Sequence, residues 1–224
     1  MNIMRAIYIL GVKLATRLKL YERRQREYLR IVFKMLSILT THKGKIQVAL
    51  ELDCGSGWLI RRIAKFCGLA MGIDIKSPNG WARGKDLNLE FIVTDARALP
   101  LRSNTVDFVI AISLLEHVSG WDRVVSEAWR VLRRGGLFVI QLPNLMYLIE
   151  PHTKFPLLGL LPKKLRAMLA SSVDYGDLQF DCTFKNMLKV LKRYGFKYWS
   201  SSYYHMPCNP IRLPPTFFII AFKG

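Results

Sequence analysis

Short apolar runs ending in acids or glycines alternate, through the middle of the chain, with stretches whose apolar residues recur at helical spacing. Val48 to Leu52 is the first run, followed by Gly55 and Gly57. Leu59, Ile60, Ile63 and Ala64 then carry helical spacing, so the order is strand, glycine turn, helix. Leu69 to Ile73 is a second run ending in Asp74, Phe91 to Ala96 a third containing Asp95, and Val106 to Ser113 a fourth. Trp121 to Leu132 is an amphipathic helix, with Val124, Val125, Ala128 and Val131 on one face. It is read as closing at Arg133 and Arg134, with Gly135-Gly136 as the turn into a fifth strand that reaches Leu142. Further on, Asp181 or Thr183 would cap a helix over Phe184 to Tyr194, and Phe196 to Tyr203 and Thr216 to Phe222 are β-rich. Strands alternating with helices predict an α/β fold built on a mostly parallel sheet.

The turn after the first strand carries the chemistry. Glycines one residue apart let a flat ligand approach the backbone and tolerate positive φ. The helix that follows aims backbone N–H groups beyond the strand end. An acid some twenty residues on, Asp74, stands where a ribose hydroxyl pair would be held. A dinucleotide fold would require a third glycine three residues after Gly57, and that position is Ile60.

With Glu51-Leu-Asp-Cys-Gly-Ser-Gly57, Asp74, Asp95, Leu115-Glu-His-Val118 and Leu132-Arg-Arg-Gly-Gly136 in order, the chain resembles the class I S-adenosylmethionine-dependent methyltransferases, in particular their broad small-molecule group. The resemblance covers roughly Val48 to Leu142 and implies a Rossmann-like, seven-stranded, mostly parallel sheet with helices on both faces and an antiparallel last strand beside the fifth. It implies S-adenosylmethionine as cofactor, met by Glu51, Asp53, Gly55 and Gly57 at the turn, by Asp74 and Ile75 at the ribose, by Asp95 and Ala96 at the adenine, and by Ser113 near by. One position departs from the pattern: Asp53 stands where the family has the first glycine of the turn. Aspartate tolerates left-handed backbone, so the turn survives, with an added carboxylate at the donor site. His117 is a candidate general base because imidazole titrates near neutrality. Asp107, another family hallmark, is read as structural. No catalytic triad is visible, and none is needed when the donor methyl is already activated.

Charge divides the chain unevenly. Lys plus Arg number 34 against 16 acids, a net +18, and the surplus lies outside residues 46–150. A basic surplus attracts phosphate-rich partners, either RNA or an anionic membrane surface. Residues 1–45 are expected to form two basic amphipathic helices capping residues 46–224. The first helix has no uncharged run long enough to span a bilayer and no signal-peptide pattern. A cytoplasmic protein, with peripheral membrane contact as one option, is therefore expected. Residues 143–182, rich in Pro and Leu, lie where the resembled fold commonly inserts a substrate-side segment, with Asn144, Glu150 and His152 as its polar candidates. The four cysteines and four histidines show no metal-like spacing, so no structural metal is expected, and the oligomeric state is left open.

Three functions fit these features. The first is methyl transfer to a small or amphiphilic acceptor, and the second is methylation of RNA. The third is a catalytically idle methyltransferase fold that binds nucleic acid or membrane through its basic ends. The fourth strand is followed by Ser113-Leu-Leu-Glu116 rather than an Asn-Pro-Pro-Tyr-type signature, which weakens base N-methylation.

Overall fold

The computed structural model describes residues 20–77, 81, 88–147, 155, 158–173, 175–200 and 216–224. The first of the two expected N-terminal helices, Glu150, His152 and Cys208 therefore lie outside the described residues. In chain order the elements are α1 (Leu20–Lys43), β1 (Ile46–Leu52), α2 (Ile60–Ile63), β2 (Cys67–Asp74), β3 (Leu89–Val93), β4 (Val106–Ile112) and α3 (Trp121–Val131). There follow β5 (Leu132–Pro143), α4 (Lys163–Ser171), α5 (Phe184–Arg193), β6 (Phe196–Ser200) and β7 (Thr216–Lys223).

The strands form one seven-stranded sheet in the order β3-β2-β1-β4-β5-β7-β6. Strands β1 to β5 pair in parallel, and β7 lies antiparallel to both β5 and β6. Side chains alternate faces along each strand. Leu50, Leu52, Val109, Ala111, Phe138 and Ile140 face α3 and α5, where Val124, Ala128, Met187 and Leu191 meet them. Ala49, Phe108, Ile110, Val139 and Phe218 face the other way, onto α1 and α2. Helix α1 presents Tyr28, Val32, Met35 and Leu36 to this second layer, and the Tyr28 ring meets Phe218 edge-on at 5.4 Å. Both faces are thus covered, which is why the central strands read as continuous apolar runs.

Two expectations from the pattern are corrected. Gly135-Gly136 is not a turn before the fifth strand but lies inside β5, which already begins at Leu132. The register with β4 jumps there from Val106–Leu132 to Phe108–Leu137, a bulge that Gly135 enables at φ 67°. Nor does Arg133 close the helix: its guanidinium reaches Asp107 on β4 at 3.0 Å. Asp107 also accepts the backbone N–H groups of Gln47 and Val48, both at 2.9 Å, which bears out its structural reading. Thr183 is the cap of α5, accepting from the Asn186 N–H at 3.3 Å.

Candidate functional site

The sheet order reverses between β1 and β4, the two strands that grew outward in opposite directions from the centre. In open α/β sheets the crevice at the carboxyl ends of such strands is where ligands bind. The two strands end there in residues with unusual backbones: Asp53 after β1 at φ 60° and Ser113 after β4 at φ 53°. Non-glycine residues in this region concentrate where a structure is held for function.

The turn after β1 is locked against β2. Cys54 N–H donates to the Ile73 carbonyl at 2.9 Å, Gly57 N–H to the Cys54 carbonyl at 2.8 Å, and Gly55 N–H to Asp74 Oδ2 at 2.9 Å. Asp74 Oδ1 accepts from Lys76 N–H at 3.1 Å, so this acid organises the turn as well as facing the crevice. Two glycines are needed for packing. A Cβ on Gly57 (φ 76°) would sit 2.5 Å from the Phe91 ring, and one on Gly72 would sit 2.8 Å from both that ring and the Cys54 sulfur. Gly55, at φ 51°, faces open space instead. The indole of Trp81 stacks on Phe91 at 4.9 Å and donates from Nε1 to the Gly55 carbonyl at 2.8 Å, bracing the turn from outside.

Carboxyls crowd this end of the sheet. Glu51 is 5% exposed, and its Oε2 has no hydrogen-bond partner among the described residues. Burial holds its carboxyl well above the usual range; the Ile60 N–H opposes this and the Asp53 charge adds to it. Asp53, although its surface is exposed, is pushed up to about 6 by partial withdrawal of its carboxyl from water and then by the Asp74 charge. The Cys54 thiol, desolvated and surrounded by Glu51, Asp74 and Asp53, rises to about 12 and stays protonated.

The other expected residues lie along the same edge. Ile75, 63% exposed, follows Asp74 directly. Asp95 and Ala96 follow β3, and Asp95 is gripped by the Arg97 guanidinium at 2.6 Å, which holds its carboxyl below the usual range. Ser113 donates from Oγ to Gln141 Oε1 at 2.7 Å. His117 Nδ1 lies 2.8 Å from Asp177 Oδ2, so the insert reaches back to the loop after β4. Asn144, at the end of β5, accepts the Met146 N–H through Oδ1 at 3.0 Å. All of these stand at the carboxyl ends of strands or in segments that return to them. Gln141, Trp81 and Asp177 are not singled out by the sequence pattern. Gln141 is a lone polar residue in an apolar strand, the one such signal available; Trp81 and Asp177 sit in stretches without period.

These residues suit a cationic, adenosine-bearing ligand: a buried acid with an unpartnered oxygen, a turn open at Gly55, and an acid followed by an exposed apolar side chain. Residues 50–140 match the family model described as a methyltransferase domain. A curated relative, a probable S-adenosylmethionine-dependent methyltransferase of Mycolicibacterium smegmatis, is 33% identical over 106 residues, or 46% of this chain and 40% of the relative. Residues 50–140 are thus similar to the class I S-adenosylmethionine-dependent methyltransferases. Another relative, the ubiquinone/menaquinone biosynthesis C-methyltransferase of Brucella suis, is 31% identical over 115 residues, 47% of this chain and 43% of that protein. The match thus spans less than half the length of either relative. The fold is that of an S-adenosylmethionine-dependent methyltransferase from Mesorhizobium loti, with a TM-score of 0.65 at 20% identity, over 85% of this chain and 96% of that one.

Proposed function

We propose that this protein transfers a methyl group from S-adenosylmethionine to an amphiphilic small molecule. The observation that carries the donor assignment is Glu51: a carboxyl 5% exposed, with one oxygen unpartnered, at the glycine turn of the switch point. A buried acid in that state is costly unless a ligand supplies a donor or a positive charge. Asp74 would take the ribose hydroxyls, Ile75 and Ala96 the adenine faces, and Asp95 the adenine amino group. Gly55 would let the ligand lie against the backbone.

When bound, the cofactor supplies a methyl already activated on a cationic sulfur. The protein's part is alignment and exclusion of water. In this reading the acceptor's proton passes to His117 Nε2, because Asp177 holds the ring through Nδ1 at 2.8 Å. The amphiphilic acceptor is supported by the insert. Met146, Leu160, Leu165 and Met168 are exposed there, Leu160 at 62% and Met168 at 61%, with Lys163 and Lys164 beside them. The quinone named for the Brucella suis relative is of the same chemical kind.

Calorimetric titration tests the donor assignment. Wild-type protein should bind S-adenosylmethionine in the micromolar range, and Asp74→Ala should lose binding while remaining folded by circular dichroism. His117→Asn should keep donor affinity and lose about 10²-fold or more in turnover of an acceptor. Unchanged donor affinity in Asp74→Ala would refute the site, and unchanged turnover in His117→Asn the base.

A further inference from the structure

Asp53 occupies a position where the family turn has glycine, and the structure shows what its side chain does there. The turn is pinned to β2 by the Cys54–Ile73 and Gly55–Asp74 bonds, both 2.9 Å, which fix the backbone from which the Asp53 side chain leaves. Exposed on the turn at φ 60°, its carboxyl is close enough to Glu51, Cys54 and Asp74 for their charges to interact. The titratable groups facing it are therefore Glu51 from β1, Cys54 within the turn and Asp74 from β2. Among the described residues no group of three or more such side chains is disposed to hold a metal ion. The independent sign of a ligand is Glu51 Oε2, buried and without a hydrogen-bond partner in the same cluster.

We infer that Asp53 is a specificity-determining residue that makes the site favour the cationic methyl donor over the neutral product. The inference rests on donor binding at this site. Transfer of the methyl turns a sulfonium into an uncharged thioether and changes little else in the shape of the ligand. Shape alone therefore discriminates poorly between the two. Charge does not: with Asp53 ionised beside Asp74 and Glu51, the cluster carries one negative charge more than a glycine turn would. A ligand with a positive sulfur offsets part of that charge, and one without it leaves the charge uncompensated. The consequence is weaker retention of product and less inhibition by it. Below about pH 6 Asp53 takes a proton, and the preference should fade.

The test is titration of the full chain with S-adenosylmethionine and with S-adenosylhomocysteine, in wild type, Asp53→Gly and Asp53→Asn, at pH 7.5 and pH 5 at one salt concentration. Glycine restores the family turn and suits φ 60°, and asparagine tolerates that backbone while removing only the charge. The ratio of product Kd to donor Kd should fall about three- to tenfold in both variants at pH 7.5, the size expected of one partly screened charge. At pH 5 the wild-type ratio should approach that of the variants. A ratio unchanged in both variants, or changed in Asp53→Gly alone, overturns the inference while leaving donor binding intact. Wild-type protein that binds neither ligand overturns the donor assignment and this inference together.

Discussion

Asp53 brings a cost to stability as well as a charge. Its carboxyl lies at about 6 in the folded chain, above the ordinary 3.8, so the folded state holds its proton more tightly than the unfolded one. Stability from this group is then full below about pH 4 and is lost as pH rises through about 6. Asp53→Asn, which cannot ionise, should melt higher than wild type at pH 7.5, and the difference should vanish at pH 4. Melting curves that stay superimposed at both pH values would contradict the raised Asp53 carboxyl. Much at this level was legible in the chain itself. Asp74 and the two glycines were readable because a strand, a turn and a spacing of about twenty residues place them by backbone geometry, while Glu51 and Asp53 followed from the family resemblance. Gln141 and Asp177 were not, because their partners, Ser113 and His117, stand 28 and 60 residues away and pair only through tertiary packing.

Among the elements, the far end of the sheet is tied by one side chain. Asp107 on β4 accepts two backbone N–H groups from β1 and the guanidinium of Arg133 on β5, joining three adjacent strands opposite the ligand crevice. Asp107→Ala leaves those two N–H groups and the Arg133 cation without that acceptor. It should destabilise the protein by about 2–4 kcal/mol in denaturant unfolding. Donor affinity should be unaltered, since the residue lies at the amino end of β4; a change in affinity with no loss of stability would reverse the assignment. The neighbouring bulge shows why element boundaries were harder to read than element types. Two glycines after a helix signal a turn, yet here Leu132 has already joined the sheet by pairing with Val106. Gly136 packs so closely on its neighbours that a Cβ would meet the Leu132 side chain at 2.9 Å and the Asp107 carbonyl at 3.1 Å. Strand-to-strand approach of that kind leaves no local trace in the chain.

For the molecule as a whole, charge and apolar exposure coincide on one segment. The chain carries a net +18, and helix α4 contains two lysines and an arginine with no acid, beside exposed Leu165 and Met168. Among the described residues no helix is long and apolar enough to cross a membrane. Basic and apolar groups side by side on one helix are the combination that can bind an anionic surface. The protein should float with anionic phospholipid vesicles at low salt, and Met168→Glu should reduce that several-fold; equal flotation with zwitterionic vesicles would exclude the electrostatic part. The order of the strands also bears on how the chain is made. β6 precedes β7 in the chain, yet β7 separates β6 from β5, so during synthesis β6 emerges with no neighbour to join. β1 to β5 can assemble first, leaving β5 as an open edge that only the later insertion of β7 closes. Until Thr216–Lys223 is free to pair, the chain holds an unsealed sheet edge and a strand without its neighbour, which is the species a chaperone would find.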